Sequence, residues 1–304
     1  MSSPSKSRQS KQQDLIKGVS FMTLSAFCFA LMNLFSRLAG PLPPTQKAWF
    51  RNLMLFIAGL TIYLVHARQA GRAEKISPKA FGLLMLRAGF GIIGLIANFA
   101  AVDRLALSDA TILAKLSPFF TIIFSYFLMK EKINKVQWAT LIMAFVGALA
   151  VVRPSFDNPN IGSYLIGFAG GMFAGLAYAF VRLLNMHGLS KEMIIMGFGG
   201  FSTLVLGPYV FSHWATMDLK TTAYMIMVGL LGTGGQYAMT SAYSYAPATS
   251  ISILDYSQVI FSATLSALVL QEYPTWLSVL GYLIIFAASL ILFLANRRAY
   301  KELS

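Results

Sequence analysis

Charge is what this sequence has least of. Lysine, arginine, aspartate and glutamate make up 12% of the 304 residues, and 57% are hydrophobic. Soluble domains carry roughly a quarter charged residues, and a chain this apolar cannot cover its own surface with polar groups. Histidine is scarcer still: His66, His187 and His213 stand at the ends of separate apolar runs, with no metal-ligand spacing. The single cysteine, Cys28, excludes an intramolecular disulfide and any zinc site built on several thiolates. No Ser/His/Asp arrangement and no deep pair of carboxylates provides for nucleophilic or acid–base chemistry. The sequence therefore does not read as an enzyme, and no metal or cofactor is expected.

What the chain has instead is ten apolar runs: 18–39, 46–65, 81–102, 107–129, 135–152, 161–184, 192–212, 222–244, 249–270 and 275–295. We call them spans 1 to 10. Each approaches the ~20 residues needed to cross a bilayer, and backbone polar groups inside lipid must be satisfied within the segment, which makes such runs helices. The connections are short, several with Pro or Gly, as in Pro41-Leu42-Pro43-Pro44, Arg153-Pro154, Asn158-Pro159 and Ala246-Pro247. Residues 1–17, rich in Ser, Gln and Lys, are expected to form a disordered tail, and residues 296–304 a second tail. The fold class expected is all-α integral membrane, and the first partner is the lipid bilayer.

The net charge of +13 does not indicate nucleic acid. The basic residues flank apolar runs, where anionic lipid and the insertion machinery account for them. With the N-terminus inside, sixteen Lys/Arg fall on inside segments and five on outside loops: Arg37, Lys47, Arg104, Arg153 and Lys220. Both termini are therefore expected to be cytoplasmic, in a cell-membrane protein.

The chain also reads as a duplication. Sliding residues 106–152 onto 247–293 without a gap pairs Ile112/Ile253, Leu113/Leu254, Phe120/Phe261, Ser125/Ser266, Glu131/Glu272, Phe145/Phe286 and Leu149/Leu290. Earlier in each half, the stretch ending at Arg37 resembles the one ending at Arg182, through Leu31/Leu176 and Phe35/Phe180. Five spans per half is odd, so the repeat 161–295 must run through the membrane upside down relative to 18–152. Inverted repeats are a transporter architecture with the substrate near the midplane.

These residues carry a family resemblance. Ala106-Leu107-Ser108-Asp109-Ala110-Thr111-Ile112-Leu113, then Leu116-Ser117-Pro118-Phe119-Phe120, then Lys130-Glu131-Lys132 resemble the EamA repeat of the drug/metabolite transporter superfamily. The second copy, Ala246 to Glu272, has Val259 where the proline would stand. Trp49-Phe50-Arg51-Asn52 resembles that family's arginine motif in span 2, and Leu254-Asp255-Tyr256-Ser257 an acidic-aromatic pair in span 9. The resemblance implies a central cavity lined by spans 1–4 and 6–9, with spans 5 and 10 at the periphery.

Ionisable groups deep in a span cost ~2.5–3.5 kcal/mol each on insertion scales, so they face a cavity or a partner. Here they are Arg51, Arg87, Lys115 and Asp255. Lys115 aligns with Tyr256 across the repeats, one place from Asp255, so the two charges occupy nearly equivalent positions. They are read as facing one cavity and as the candidates for coupling transport to protons; the alternative is a static bridge between helices. For Arg51 and Arg87 the alternative is snorkelling to the interface. Asn33, Asn98, Ser117, Tyr178, Gln236, Tyr237, Tyr256 and Gln258 complete the expected lining, each with interhelical hydrogen bonding as its alternative role. The glycine runs 167–171 and 232–235 read as close-packing surfaces, since no P-loop lysine follows them.

Three deep cations against one deep anion favour an anionic or zwitterionic small-molecule substrate. A secondary transporter working by alternating access, as monomer or homodimer, is the leading expectation. A multidrug exporter of lipophilic cations would place an acid in span 1, which has none between Lys17 and Arg37. A membrane-bound enzyme or lipid-handling protein would need a reactive cluster that the chain lacks.

Overall fold

The computed structural model describes residues 4–70, 76–130, 133–152, 160–245 and 251–302. Among these every regular element is helical. Nine helices are long and apolar enough to cross a membrane. The tenth, span 8, is the 27-residue helix Leu219–Tyr245, whose glycines, threonines and tyrosines lower its hydropathy without breaking it. The protein is an integral membrane protein, and its described residues hold these nine helices and the span-8 helix, one for each of the ten apolar runs. The Arg153-Pro154, Asn158-Pro159 and Ala246-Pro247 connections, and Glu131 of the Glu131/Glu272 match, lie outside the described residues.

One expectation is corrected at the N-terminus. The segment expected to be disordered is helical from Pro4 and runs without a break through span 1 to Leu38. Its Ser, Gln, Lys and Arg residues include no helix breaker after Pro4, and the span already supplies the nucleus from which a helix grows.

The spans pair across the two halves: span 1 with span 8, span 2 with span 7, span 3 with span 6, and span 5 with span 10. Small residues permit this. A side chain at Gly147 would meet the Gly281 carbonyl at 3.0 Å, and one at Gly281 would meet the Gly147 carbonyl at 2.6 Å, so spans 5 and 10 approach backbone to backbone.

Spans 4 and 9 are not continuous helices. Span 4 consists of Leu107–Ala114, a turn at Lys115 and Leu116, and Ser117–Met129. Pro118 causes the break: it has no N–H for the Ala114 carbonyl, and its ring would collide there, so it sits instead in the first turn of the second half. Span 9, which lacks the proline, breaks at the same place by another route. A 3-10 segment, Ser252–Tyr256, precedes the α-helix Ser257–Leu265, and a π turn, Ser266–Leu270, ends it. Both spans stop at left-handed residues, Lys130 (φ 54°) and Gln271 (φ 56°). These pair under the same repeat offset, so the duplication read from the sequence is visible in the backbone.

Candidate functional site

Non-helical backbone is tolerated at membrane depth only where it lines a cavity or is buried in protein. Here it lines a cavity of about 660 Å³. Eleven of the twelve expected site residues border it: Asn33, Arg51, Arg87, Asn98, Lys115, Ser117, Tyr178, Gln236, Asp255, Tyr256 and Gln258. Tyr237 does not. Next to Gln236 on one helix, it points about 100° away, into the cluster of Met32, Phe99 and Phe198. Spans 5 and 10 are less peripheral than expected, since Gln137, Ser289, Leu292 and Phe293 also border the cavity.

The breaks position the central pair. Lys115 is the C-cap of the first half of span 4 and Asp255 lies in the 3-10 segment. Lys115 Nζ meets Asp255 Oδ2 at 2.5 Å. The Lys115 carbonyl, freed because Phe119 donates to Leu116 instead, accepts the Tyr256 hydroxyl at 3.0 Å. Tyr256 is the repeat counterpart of Lys115, so one broken span satisfies the loose backbone of the other. The Tyr256 hydroxyl is thereby already committed. Thr111 and Ser262 add a hydroxyl–hydroxyl bond of 2.9 Å between the same spans. On the other side of span 4, Gly171 and Gly175 bring span 6 against the break, where added side chains would meet the Leu113 and Ser117 carbonyls at 2.4 and 2.6 Å.

The two arginines do not snorkel. Arg51 is 5% exposed and Arg87 9%. Both guanidiniums lie over the ring of Phe198, Arg87 at 3.8 Å and Arg51 at 5.7 Å from its centroid. Arg51 Nη1 donates to Asn52 Oδ1 at 2.8 Å, whereas Arg51 Nε and the Nε and Nη1 of Arg87 are buried without a hydrogen-bond partner. Neither has a carboxylate within ion-pair range among the described residues. Cation–π contact over Phe198 offsets part of the lost hydration, and donors remain for an anion. Phe198 was not legible in the sequence, because an aromatic residue in an apolar span is as often lipid-facing as cavity-facing. The excess positive charge thus rests on Arg51 and Arg87, while Lys115 is neutralised by Asp255.

Toward the end away from the termini a layer of ion pairs and hydrogen bonds crosses the interior. Arg37 meets Glu272 at 2.5 Å and donates to the Leu105 carbonyl at 3.2 Å. Lys47, fully buried, meets Asp103 at 2.5 Å and the Ser36 carbonyl at 2.8 Å. Asp109 accepts the hydroxyls of Tyr164 and Tyr282, and the Gln46 side chain makes two 3.0 Å bonds with the Ala215 backbone. The Arg37–Glu272 pair, both hydroxyl bonds to Asp109 and the Gln46–Ala215 bonds tie the first half to the second. Beyond this layer a second hollow of about 500 Å³ is lined by Arg37, Pro41, Asp103 and Arg104. The main cavity lies on the other side, reaching Gln137, Arg182 and Phe293 near the opposite helix ends.

Two five-span halves meeting at broken helices around a polar cavity match a known sequence profile. The EamA-like transporter family matches residues 16–153 and again 161–294. The chain belongs to that family. The pseudopaline exporter CntI of Pseudomonas aeruginosa is 31% identical over 283 residues, covering 92% of this chain and 97% of that protein. The S-adenosylmethionine uptake transporter of Rickettsia prowazekii is 23% identical, covering 94% and 96%. Solute carrier family 35 member G1 of Mus musculus is 27% identical, covering 90% and 77%. One solved crystal structure superposes with a TM-score of 0.64 at 14% identity, over 93% of this chain and 98% of that one, a likeness of fold alone. EamA-like proteins are transporters, and those named here include one for export and one for uptake.

Proposed function

We propose that this protein is a secondary active transporter of a small anionic or zwitterionic metabolite, working by alternating access between its two halves. The observation that carries the reading is the pair of buried guanidiniums, Arg51 and Arg87, facing the cavity without an acid partner. An uncompensated cation at low dielectric is costly, and a carboxylate or phosphate on the ligand offsets that cost with charge-assisted hydrogen bonds. The relatives, named as exporters and uptake transporters of small metabolites, support the class. A cavity of about 660 Å³ falls in the 300–1,000 Å³ range of small-molecule sites.

In this reading both termini are cytoplasmic and the cavity faces the cytoplasm, with the Arg37–Glu272 layer closing the outer side. Asp255 is the coupling residue: proton binding there competes with Lys115 and frees spans 4 and 9 to move. A thermal-shift screen of metabolites on the purified protein tests the substrate class, because a ligand of the folded state raises stability by mass action. Anionic compounds should stabilise wild type and not Arg87→Met; stabilisation by cations alone overturns the reading. For coupling, Asp255→Asn in proteoliposomes should lose pH-driven accumulation, and accumulation that survives in this variant removes Asp255 from the coupling role. Cysteines placed at 216 and 187, both exposed positions, should label from outside and inside respectively, and the reverse pattern would invert the topology.

A further inference from the structure

The cavity carries unsatisfied acceptors as well as unsatisfied donors. Asp255 gives Oδ2 to Lys115, yet its Oδ1 is buried with no partner, and so is Oδ1 of Asn33. Asn33 is 2% exposed, and its helix packs against the 3-10 segment that carries Asp255. Tyr178, the repeat counterpart of Asn33, borders the same cavity as Asp255, Arg87 and Arg51. The acid and the guanidiniums therefore share one chamber.

An anion alone would satisfy the arginines and leave both acceptors orphaned, and a buried acceptor without a donor carries its full desolvation penalty. The group that answers both is a protonated amine, which has three donors and no acceptor. The chain already holds one such group there, the Lys115 ammonium. Resting on the anion reading above, we infer that the transported compound also carries a protonated amine, and that this amine takes Asp255 from Lys115 while bonding Asn33 Oδ1. The exchange replaces one ammonium by another at the same carboxylate, so the charge at Asp255 is conserved. Its mechanical effect is not neutral. The Lys115–Asp255 bridge is one of the links between the two breaks, beside the Tyr256 bond to the Lys115 carbonyl, and handing Asp255 to the ligand releases that link. Asp255 thereby reads the ligand's cationic end, and Arg51 with Arg87 its anionic end.

The test is thermal unfolding of purified wild-type protein in nanodiscs with ω-amino carboxylates from glycine to 6-aminohexanoate, against butyrate and n-butylammonium as single-charge controls. At least one chain length should bind about tenfold more tightly than either control, since tenfold corresponds to one well-made polar contact. Lys115→Arg keeps the bridge and tightens it through a bidentate fork. It should weaken the amino carboxylates about tenfold more than it weakens butyrate. If no chain length outperforms butyrate, or if Lys115→Arg affects butyrate and amino carboxylates equally, the amine exchange is wrong. Butyrate binding that disappears in Arg87→Met would show the anion reading surviving that failure. Butyrate acting equally on wild type and Arg87→Met would bring down the anion reading itself.

Discussion

The two levels of the bundle interior treat charge in opposite ways. In the layer away from the termini, Arg37 and Lys47 each have a carboxylate at 2.5 Å and a carbonyl besides. In the cavity, Arg51 and Arg87 have a phenyl face and one asparagine oxygen between them. Ion pairs that satisfy each other hold elements together, whereas buried charge left unsatisfied is a standing cost that survives where function uses it. The central Lys115–Asp255 bridge falls between the two cases, paired on one oxygen and orphaned on the other.

Removing one partner of the central bridge should have the largest effect. Lys115→Met strands Asp255 in a site whose two side chains are only 10% and 17% exposed, and stranding a buried partner costs about 3–5 kcal/mol. Thermal unfolding in detergent should register that loss, and Lys115→Met with Asp255→Asn should recover most of it without recovering transport. A recovery of transport would make the bridge purely structural.

Arg87→Met sharpens the contrast most directly. Stability should hold or rise, because insertion scales charge ~2.5–3.5 kcal/mol for a deep arginine, while anionic ligand binding falls by at least about tenfold, or ~1.4 kcal/mol. A destabilised variant with unchanged binding would place Arg87 with the ion-paired layer rather than the cavity. Gly171→Val puts a branched side chain where even a Cβ meets the Leu113 carbonyl at 2.4 Å. Overpacking of this kind costs about 1–3 kcal/mol, and the melting temperature should fall accordingly. The smallest effect belongs to the ion-paired layer. Arg37 and Glu272 are 22% and 28% exposed, and partly exposed pairs contribute under about 1 kcal/mol. Glu272→Gln should therefore barely alter unfolding, while increasing labelling of a cysteine placed at Ala110 from the outer side. Unaltered labelling would mean that this pair does not help close that end.

The spans were legible because lipid imposes a length and a composition that any reader of the chain can count. The central pair was legible too, since Lys115 and Asp255 are charges where charge is expensive and the repeat brings them to matching positions. Tyr237 was misplaced because adjacent helical residues face different ways and a nearly uniform apolar span offers no periodicity to choose between Gln236 and Tyr237. The break of span 4 could be anticipated from Pro118, whereas the break of span 9 has no residue that announces it and follows from the 3-10 geometry of 252–256.

Composition, spacing and duplication by themselves determined a ten-span membrane protein in two halves, with four ionisable residues at depth. Tertiary structure decided which of those charges neutralise each other. Only packing set Lys115 against Asp255 and left Arg51 and Arg87 on Phe198, because a residue's partners in a bundle come from spans far away in the chain, and lipid-facing and cavity-facing positions share one apolar alphabet.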